Sequence, residues 1–391
     1  MHKTYFDGTH RTRPPSDTWE AIRPLLDGFG ITRVADVTGL DDIGIPVTMA
    51  VRPLARTLSV AQGKGVTLDA ARVSGAMEAI EAWHAERSLP PVLVRRTPAA
   101  EMGLPYPVTA LEQHPGSLLT NRTRLDWITG RSAVNNSPVP VPVAAVKIGR
   151  EAHTDWRMYL PSASTNGLAS GNTRSEATVH ALYEVIERDA ISDLDHAPHT
   201  EDAQLLDPWS IDDPHCSALL GRLLSAAAWF ELWHLPTRFG VPVMACFLWR
   251  EDQPTVLVSG SGAHLDPRVA LSRAITEAAQ TRLTLITGSR DDTHPVVYRP
   301  GTHQGPTPAT ARCTPWEHIT RRYSATFPTH KAEAAYLASV ITARVGAAPI
   351  VVDLATGPYE REEFAVVKVC APHLRYSARH AIPRPRPEAA A

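Results

Sequence analysis

Residues 164–190 read STNGLASGNTRSEATVHALYEVIERDA. Small residues and glycines fill Asn166 to Thr173, and an apolar helical pattern follows from about Ser175 to Leu194. Ala181, Leu182, Val185 and Ile186 supply its apolar stripe, while Glu184, Glu187 and Arg188 gather at the border of that stripe. Carboxylates and guanidiniums are rarely taken out of water unless paired or ligated. The helix therefore predicts something bound near its end.

Two other segments repeat the arrangement. Residues 69–87, DAARVSGAMEAIEAWHAER, predict a helix opened by Asp69, preceded by a glycine-flanked turn QGKG at 62–65, with Glu78 and Glu81 three apart. Residues 267–288, PRVALSRAITEAAQTRLTLITG, carry proline in the first turn and glycine at the end, the punctuation of a helix. Here Arg273 and Glu277 are four apart, and Gln280 follows at three. Such spacings put side chains on one helical face, with Cβ atoms roughly 5–6 Å apart. A wet face explains one such helix. Three together point to convergence, and converging carboxylates need cations.

Magnesium suits that need, since it takes carboxylate oxygens at about 2.0–2.1 Å and shares its shell with water and phosphate. The expected ligand is a nucleoside triphosphate. The small-residue turn NGLASGNT would let backbone N–H groups approach phosphate. Arg188 and Arg273 would neutralise phosphate oxygens, and Lys64 in QGKG adds a point charge. QGKG is no Walker A, because neither the leading glycine spacing nor a Ser/Thr after the lysine is present.

The remaining sequence bounds the class of protein. At 391 residues, 43% hydrophobic and 20% charged, the chain is long enough for a substantial core. A net charge of -2 gives no support to a general nucleic-acid or membrane-surface role. Cys216, Cys246, Cys313 and Cys370 are scattered and form neither a zinc motif nor a disulfide framework. The opening MHKTYFDGTHRTRPPSD lacks a signal-peptide apolar run, and no stretch of about 18 apolar residues occurs. A cytoplasmic protein is expected.

Elsewhere, Ser16 or Asp17 caps an expected helix running to Gly28, followed by strand-like VADVTGL and IPVTMAVRP. A strand is expected over 139–150, a connector over 195–215, and a loop over 289–317. VPVMACFLWR, TVLVSG, PIVVDLA and FAVVKVCAP are strand-like, and a helix is expected around 330–346. Strands and helices intermix without a βαβ rhythm, so the class is α+β, mixed sheets packed with helices. His84, His180, His264 and His294 are candidate proton shuttles or packed histidines, and His264 stands out because it precedes the third helix. Trp156, Trp229 and Trp233 suit core packing better than a peptide groove. No GxSxG elbow supports serine hydrolase chemistry.

These three segments, in order along the chain, resemble the YcaO superfamily of ATP-dependent enzymes that modify peptide backbones. The resemblance implies one domain over 1–391: an N-terminal nucleotide-contacting segment at 1–60, a catalytic core at 61–372 and a proline-rich tail at 373–391. It implies ATP and Mg2+ as cofactors. Carried over by position, Glu78, Glu81, Glu184, Glu187 and Glu277 are implied metal ligands, with Glu187, Arg188 and Arg273 catalytic. Arg13, Thr18, Asn172 and Glu176 are implied nucleotide contacts alongside Arg188, Arg273 and the Lys64 already noted. Ala82 stands where many relatives have arginine, and Ala169 where some have serine near phosphate.

The implied reaction activates a backbone amide of a ribosomal precursor peptide. A nucleophile adds to the amide carbon, ATP phosphorylates the oxygen, and phosphate leaves. A substrate Cys, Ser or Thr gives an azoline, sulfide a thioamide, and the peptide's own amine a macrocyclic amidine. The chain resembles stand-alone members, some of which work with a TfuA partner. A TfuA-like or leader-binding partner protein is thus implied, and a homodimer is compatible. The tail IPRPRPEAAA resembles the PxPxP end of azoline-forming relatives but runs on past Pro387; a free polyproline end fits it equally. A nucleotide-binding accessory or scaffold protein is the alternative to an enzyme.

Overall fold

The computed structural model describes residues 2–113, 116–149, 163–196, 202–250, 253–290, 312–376, 382 and 384–385. It opens with a hairpin, β1 (Thr4–Phe6) and β2 (Thr9–Arg11), and helix α1 (Pro15–Ile22). Pro14 occupies the cap position without a side-chain bond, so neither Ser16 nor Asp17 caps this helix. Pro24, which lacks an N–H, ends the α-helical ladder early, and a 3-10 segment carries the chain to Phe29.

A three-stranded sheet follows: β3 (Arg33–Asp36), β4 (Val47–Val51) and β5 (Val60–Lys64). Helix α2 (Leu68–Arg87) comes next, capped by Thr67, whose side chain accepts from the Ala70 N–H, and not by Asp69. Then come β6 (Val92–Pro98), β7 (Arg124–Ser132), β8 (Pro138–Pro142), β9 (Leu168–Gly171) and helix α3 (Arg174–His196). The strand expected over 139–150 stops at Pro142, where a 3-10 turn begins. β10 (Gln204–Leu205) and helix α4 (Pro214–Ser225) occupy part of the expected connector. β11 (Ala228–Leu235), β12 (Val243–Arg250) and β13 (Gln253–Ala263) complete a four-stranded sheet ordered β10-β11-β12-β13. Helices α5 (Pro267–Thr287), α6 (Trp316–Arg322) and α7 (His330–Val345) precede β14 (Ile350–Asp353) and β15 (Ala365–Cys370). The last two join a six-stranded sheet ordered β6-β7-β14-β15-β9, with β8 on β7. Every pairing between these strands is antiparallel, in keeping with the α+β class.

Side chains alternate across a strand, and β12 shows where the layers lie. Val243, Ala245 and Phe247 pack with Leu182 and Ile186 of α3 and Leu337 of α7. Met244, Cys246 and Leu248 pack with Leu219 of α4 and Leu271 and Ile275 of α5. The same α3 cluster takes in Val351 of β14 and Val367 and Val369 of β15, so α3 is wedged between the two larger sheets.

The three glutamate-bearing helices each follow a strand and lie almost directly on its backbone. A Cβ placed on Gly63 of β5 would fall 2.1 Å from the Ala71 carbonyl oxygen in α2. One on Gly171 of β9 would fall 2.5 Å from Ala177 N in α3, and one on Gly260 of β13 2.2 Å from Ala278 N in α5. Three of the four residues of QGKG and the LASG of NGLASGNT are therefore strand. Their glycines at 63 and 171 permit contact instead of reversing the chain. Gly260→Ala is expected to lower unfolding free energy by about 1–3 kcal/mol in denaturant titration. Gly28→Ala, with nothing within 4 Å of the new methyl, is expected to be neutral.

Candidate active site

Six side chains from α2, α3 and α5 lie within electrostatic reach of one another: Glu78 and Glu81, Glu184 and Arg188, Arg273 and Glu277, all half-buried. Their mutual electrostatics show the convergence. Burial pushes Glu81 up to about 8, with the neighbouring charges of Glu78 and Glu184 adding to the rise against the Ser170 hydrogen bonds. Burial likewise raises Glu184 to about 7, Arg188 opposing and Glu187 reinforcing. Glu78 is raised by burial and by Glu277, with Arg290 and Lys64 pulling the other way. Glu277 is also desolvated, yet Lys64, Arg188 and Arg273 outweigh that cost and hold it below its ordinary value. Lys64 pairs with it directly, across from β5.

Serine and backbone donors at two sheet edges brace the recess. Glu81 Oε1 accepts from Ser170 N–H at 2.7 Å and from Ser170 Oγ at 2.6 Å. Ser170 belongs to β9, the edge of the six-stranded sheet. Glu187 accepts from Ser261 Oγ at 2.6 Å and Ala263 N–H at 2.9 Å, both on β13, the edge of the four-stranded sheet. The two carboxylates differ in one respect. Glu187 is 4% exposed with both oxygens engaged, whereas Glu81 Oε2 accepts no hydrogen bond and Glu184 accepts none among the described residues.

The nucleotide contacts expected at the start of α3 form a second, adjoining cluster. Arg13 Nε donates to Asn172 Oδ1 at 2.7 Å, and Thr18 Oγ donates to the same oxygen at 2.8 Å. Asn172 N–H and Nδ2 donate to Glu176 Oε1, and Thr12 N–H and Oγ to Glu176 Oε2. Glu176 thus ties the hairpin to α3. Arg11, absent from the sequence-based candidates, lies beside it at 3.8 Å. Arg11, His180, His264 and Arg273 line a small, partly open cavity between β2, α3, α5 and α7. Ser170 and Ser261 were also missed; the repeated Ser-Gly pair in the strand before α3 and α5 was the available signal.

Other candidates lie elsewhere. His84 is a core histidine, fully buried, with Nδ1 on the Ile80 carbonyl at 2.8 Å and burial lowering it to about 4. Trp233 is buried, but Trp229 is 44% exposed and stacked on Trp249, so the core reading of Trp229 is corrected. Position 229 lies near the start of β11, which is continuously buried only from Glu231 onward. Trp156 and His294 fall outside the described residues. In the tail, Arg384 pairs with Glu231 and lies over Trp249.

The chain matches over residues 62–375 the family model described as YcaO cyclodehydratase, ATP- and Mg2+-binding. It belongs to the YcaO family. An uncharacterized protein of Mycobacterium tuberculosis is 39% identical over 293 residues, 74% of this chain and 65% of that one. The chain thus spans just under two thirds of that relative. An uncharacterized protein in the tfuA 3' region of Rhizobium leguminosarum bv. trifolii is 37% identical over 305 residues, 74% of this chain and 70% of the relative. Among solved structures, YcaO from Methanopyrus kandleri bound with AMPPCP and Mg2+ superposes with a TM-score of 0.69 at 23% identity, covering 98% of this chain and 100% of that one. A heterocyclase in complex with substrate and cofactor gives a TM-score of 0.75 at 19% identity, covering 96% of this chain and 54% of that one. At such identities these two establish the fold. Among the described residues no helix is long and apolar enough to cross a membrane.

The donor chemistry suits the family's cation: Glu78, Glu81, Glu184 and Glu277 offer hard carboxylate oxygens, the kind Mg2+ takes, and the first three have raised proton affinity. As placed, no three acidic or histidine side chains among the described residues are gathered closely enough to hold an ion. Without a cation the crowding has a measurable consequence. Glu81 and Glu184 keep protons in the folded chain that the unfolded chain has already released, so folded protein binds more protons between the ordinary carboxyl range and about pH 8. Stability therefore falls as pH rises through that window. Calorimetry of metal-free protein is expected to show a melting temperature declining from about pH 5 to about pH 8, and Glu81→Gln is expected to flatten the decline. A melting temperature that climbs across this range would contradict the crowding.

Proposed function

We propose that this chain is an ATP-dependent enzyme that activates a backbone amide of a ribosomally made peptide, acting as one catalytic domain. The observation that carries this reading is the set of half-buried carboxylates on three helices with Arg188 and Arg273 among them. A scaffold would have no reason to keep carboxyls at raised proton affinity, whereas a site for a metal-bound triphosphate gains by it. Mg2+, when bound, would supply charge neutralisation for the triphosphate. Glu78, Glu81, Glu184 and Glu277 would hold it, with Glu187, whose two oxygens already accept from Ser261 and Ala263, bracing α3 against β13. Arg188, surrounded by Glu187, Glu184 and Glu277, keeps its charge firmly and is set to meet phosphate oxygens. Arg273 faces the cavity from α5 and would stabilise charge on the transferring phosphoryl group. Arg13, Thr18, Asn172 and Glu176, already hydrogen-bonded to one another, would seat the remainder of the nucleotide. Lys64 neutralises Glu277.

In the proposed sequence a nucleophile adds to the amide carbon, the amide oxygen attacks the terminal phosphorus of ATP and displaces ADP, and phosphate then departs with that oxygen. An amide oxygen leaves poorly unless converted to phosphate, which is the step that ATP makes feasible. The tfuA-linked relative favours a TfuA-like partner and, with it, sulfide as nucleophile and a thioamide as product. Mass spectrometry of a neighbouring precursor incubated with the protein, its partner, sulfide and Mg-ATP is expected to show one oxygen exchanged for sulfur. Loss of one water would assign an azoline or amidine instead. ATP bound without any peptide change would return the scaffold reading. Glu184→Gln is expected to reduce ATP turnover by about 100-fold or more while raising the metal-free melting temperature near pH 8. Unchanged turnover in a folded variant would remove Glu184 from the site.

A further inference from the structure

Arg11 and Arg273 line the same cavity although their charges repel, and burial together with the Arg273 charge lowers the proton affinity of Arg11. Something must keep Arg11 in place. Its carboxylate neighbour, Glu176, stands 3.8 Å away and already accepts from Thr12 and Asn172. The shorter contact is to a ring: Arg11 Nη2 lies 3.3 Å from His180 Nε2.

We propose that His180 is a positioning residue, accepting a hydrogen bond from Arg11 at Nε2 so that the guanidinium stays aimed into the cavity beside Arg273. A guanidinium has only donors, so the ring must offer a lone pair at Nε2 and carry its proton at Nδ1. The Ser170 backbone carbonyl favours a proton on the ring. Burial, Arg11 and Arg273 all disfavour the doubly protonated ring. Ser170 in turn holds Glu81 through its N–H and hydroxyl. One imidazole therefore joins the N-terminal hairpin to α3, across 169 residues of sequence. The role rests on the nucleotide-site reading given above, but the hairpin contact itself does not.

Glutamine places its amide oxygen near the Nε2 position, and leucine keeps bulk without an acceptor. Calorimetric titration with Mg2+ and AMPPCP is expected to show affinity about tenfold weaker in His180→Leu and in Arg11→Gln, since a hydrogen bond to a charged group is of that order. His180→Gln is expected to bind within about twofold of the unaltered protein, and the double variant His180→Leu, Arg11→Gln no more weakly than Arg11→Gln alone. In parallel, hydrogen exchange of the Thr9–Thr12 amides is expected to quicken in His180→Leu and not in His180→Gln. Gln as weak as Leu, multiplying losses in the double variant, or unaltered exchange in His180→Leu would each overturn the proposal. Failure of the unaltered protein to bind AMPPCP would instead overturn the nucleotide reading, leaving the exchange measurement to decide on His180.

Discussion

The structure depends on how closely a helix backbone can approach the strand before it. At Gly63, Gly171 and Gly260 a side chain would collide with main-chain atoms of α2, α3 and α5. Without that intimacy each helix would stand off by the depth of a methyl group, and carboxylates on three separate helices would not share one recess. Backbone contact is also stiff. Interiors packed at crystal-like density transmit displacements rather than absorb them, so the glycines fix the positions of Glu78, Glu184 and Glu277 more firmly than any pair of side chains would.

Close placement creates the electrostatic tension that gives the recess its chemistry. Burial first, and neighbouring carboxylates second, raise the proton affinity of Glu78, Glu81 and Glu184, and cationic side chains relieve only part of it. Lys64 settles Glu277, while Glu81 and Glu184 remain reluctant to ionise. A cation that replaces their protons therefore meets ligands whose alternative is repulsion. The fold sustains this because α3 is wedged between two sheets, with Val185 and Ile186 buried on the far side of the same helix.

Part of this was legible in the sequence, and the boundary is instructive. Glu184, Glu187 and Arg188 stood out because three-residue spacing at the rim of an apolar stripe survives translation into any helix. The glycines did not, since a glycine required for close approach looks the same in sequence as one required for a turn. Nor could spacing separate Glu184 from Glu187: the latter's partners, Ser261 and Ala263, are 74 and 76 residues away. Arg13 and Arg11 posed the same problem. Two residues apart, they part company only in three dimensions, Arg13 turning to Asn172 and the Glu363 carbonyl and Arg11 to the cavity.

The paired bracing of Glu81 and Glu187 explains how a recess this charged holds its shape without a phosphate-binding loop. An edge strand carries outward N–H groups that need an acceptor. Here the Ser170 N–H of β9 meets Glu81 of α2 and the Ala263 N–H of β13 meets Glu187 of α3, and each carboxylate also accepts from a serine hydroxyl on the same strand. The edges are thereby capped, and the carboxylates are held in fixed rotamers. The same hydrogen bonds that keep two sheets from exposing their edges keep the acidic groups aligned, so loss of either brace would loosen both a sheet margin and the recess between the sheets.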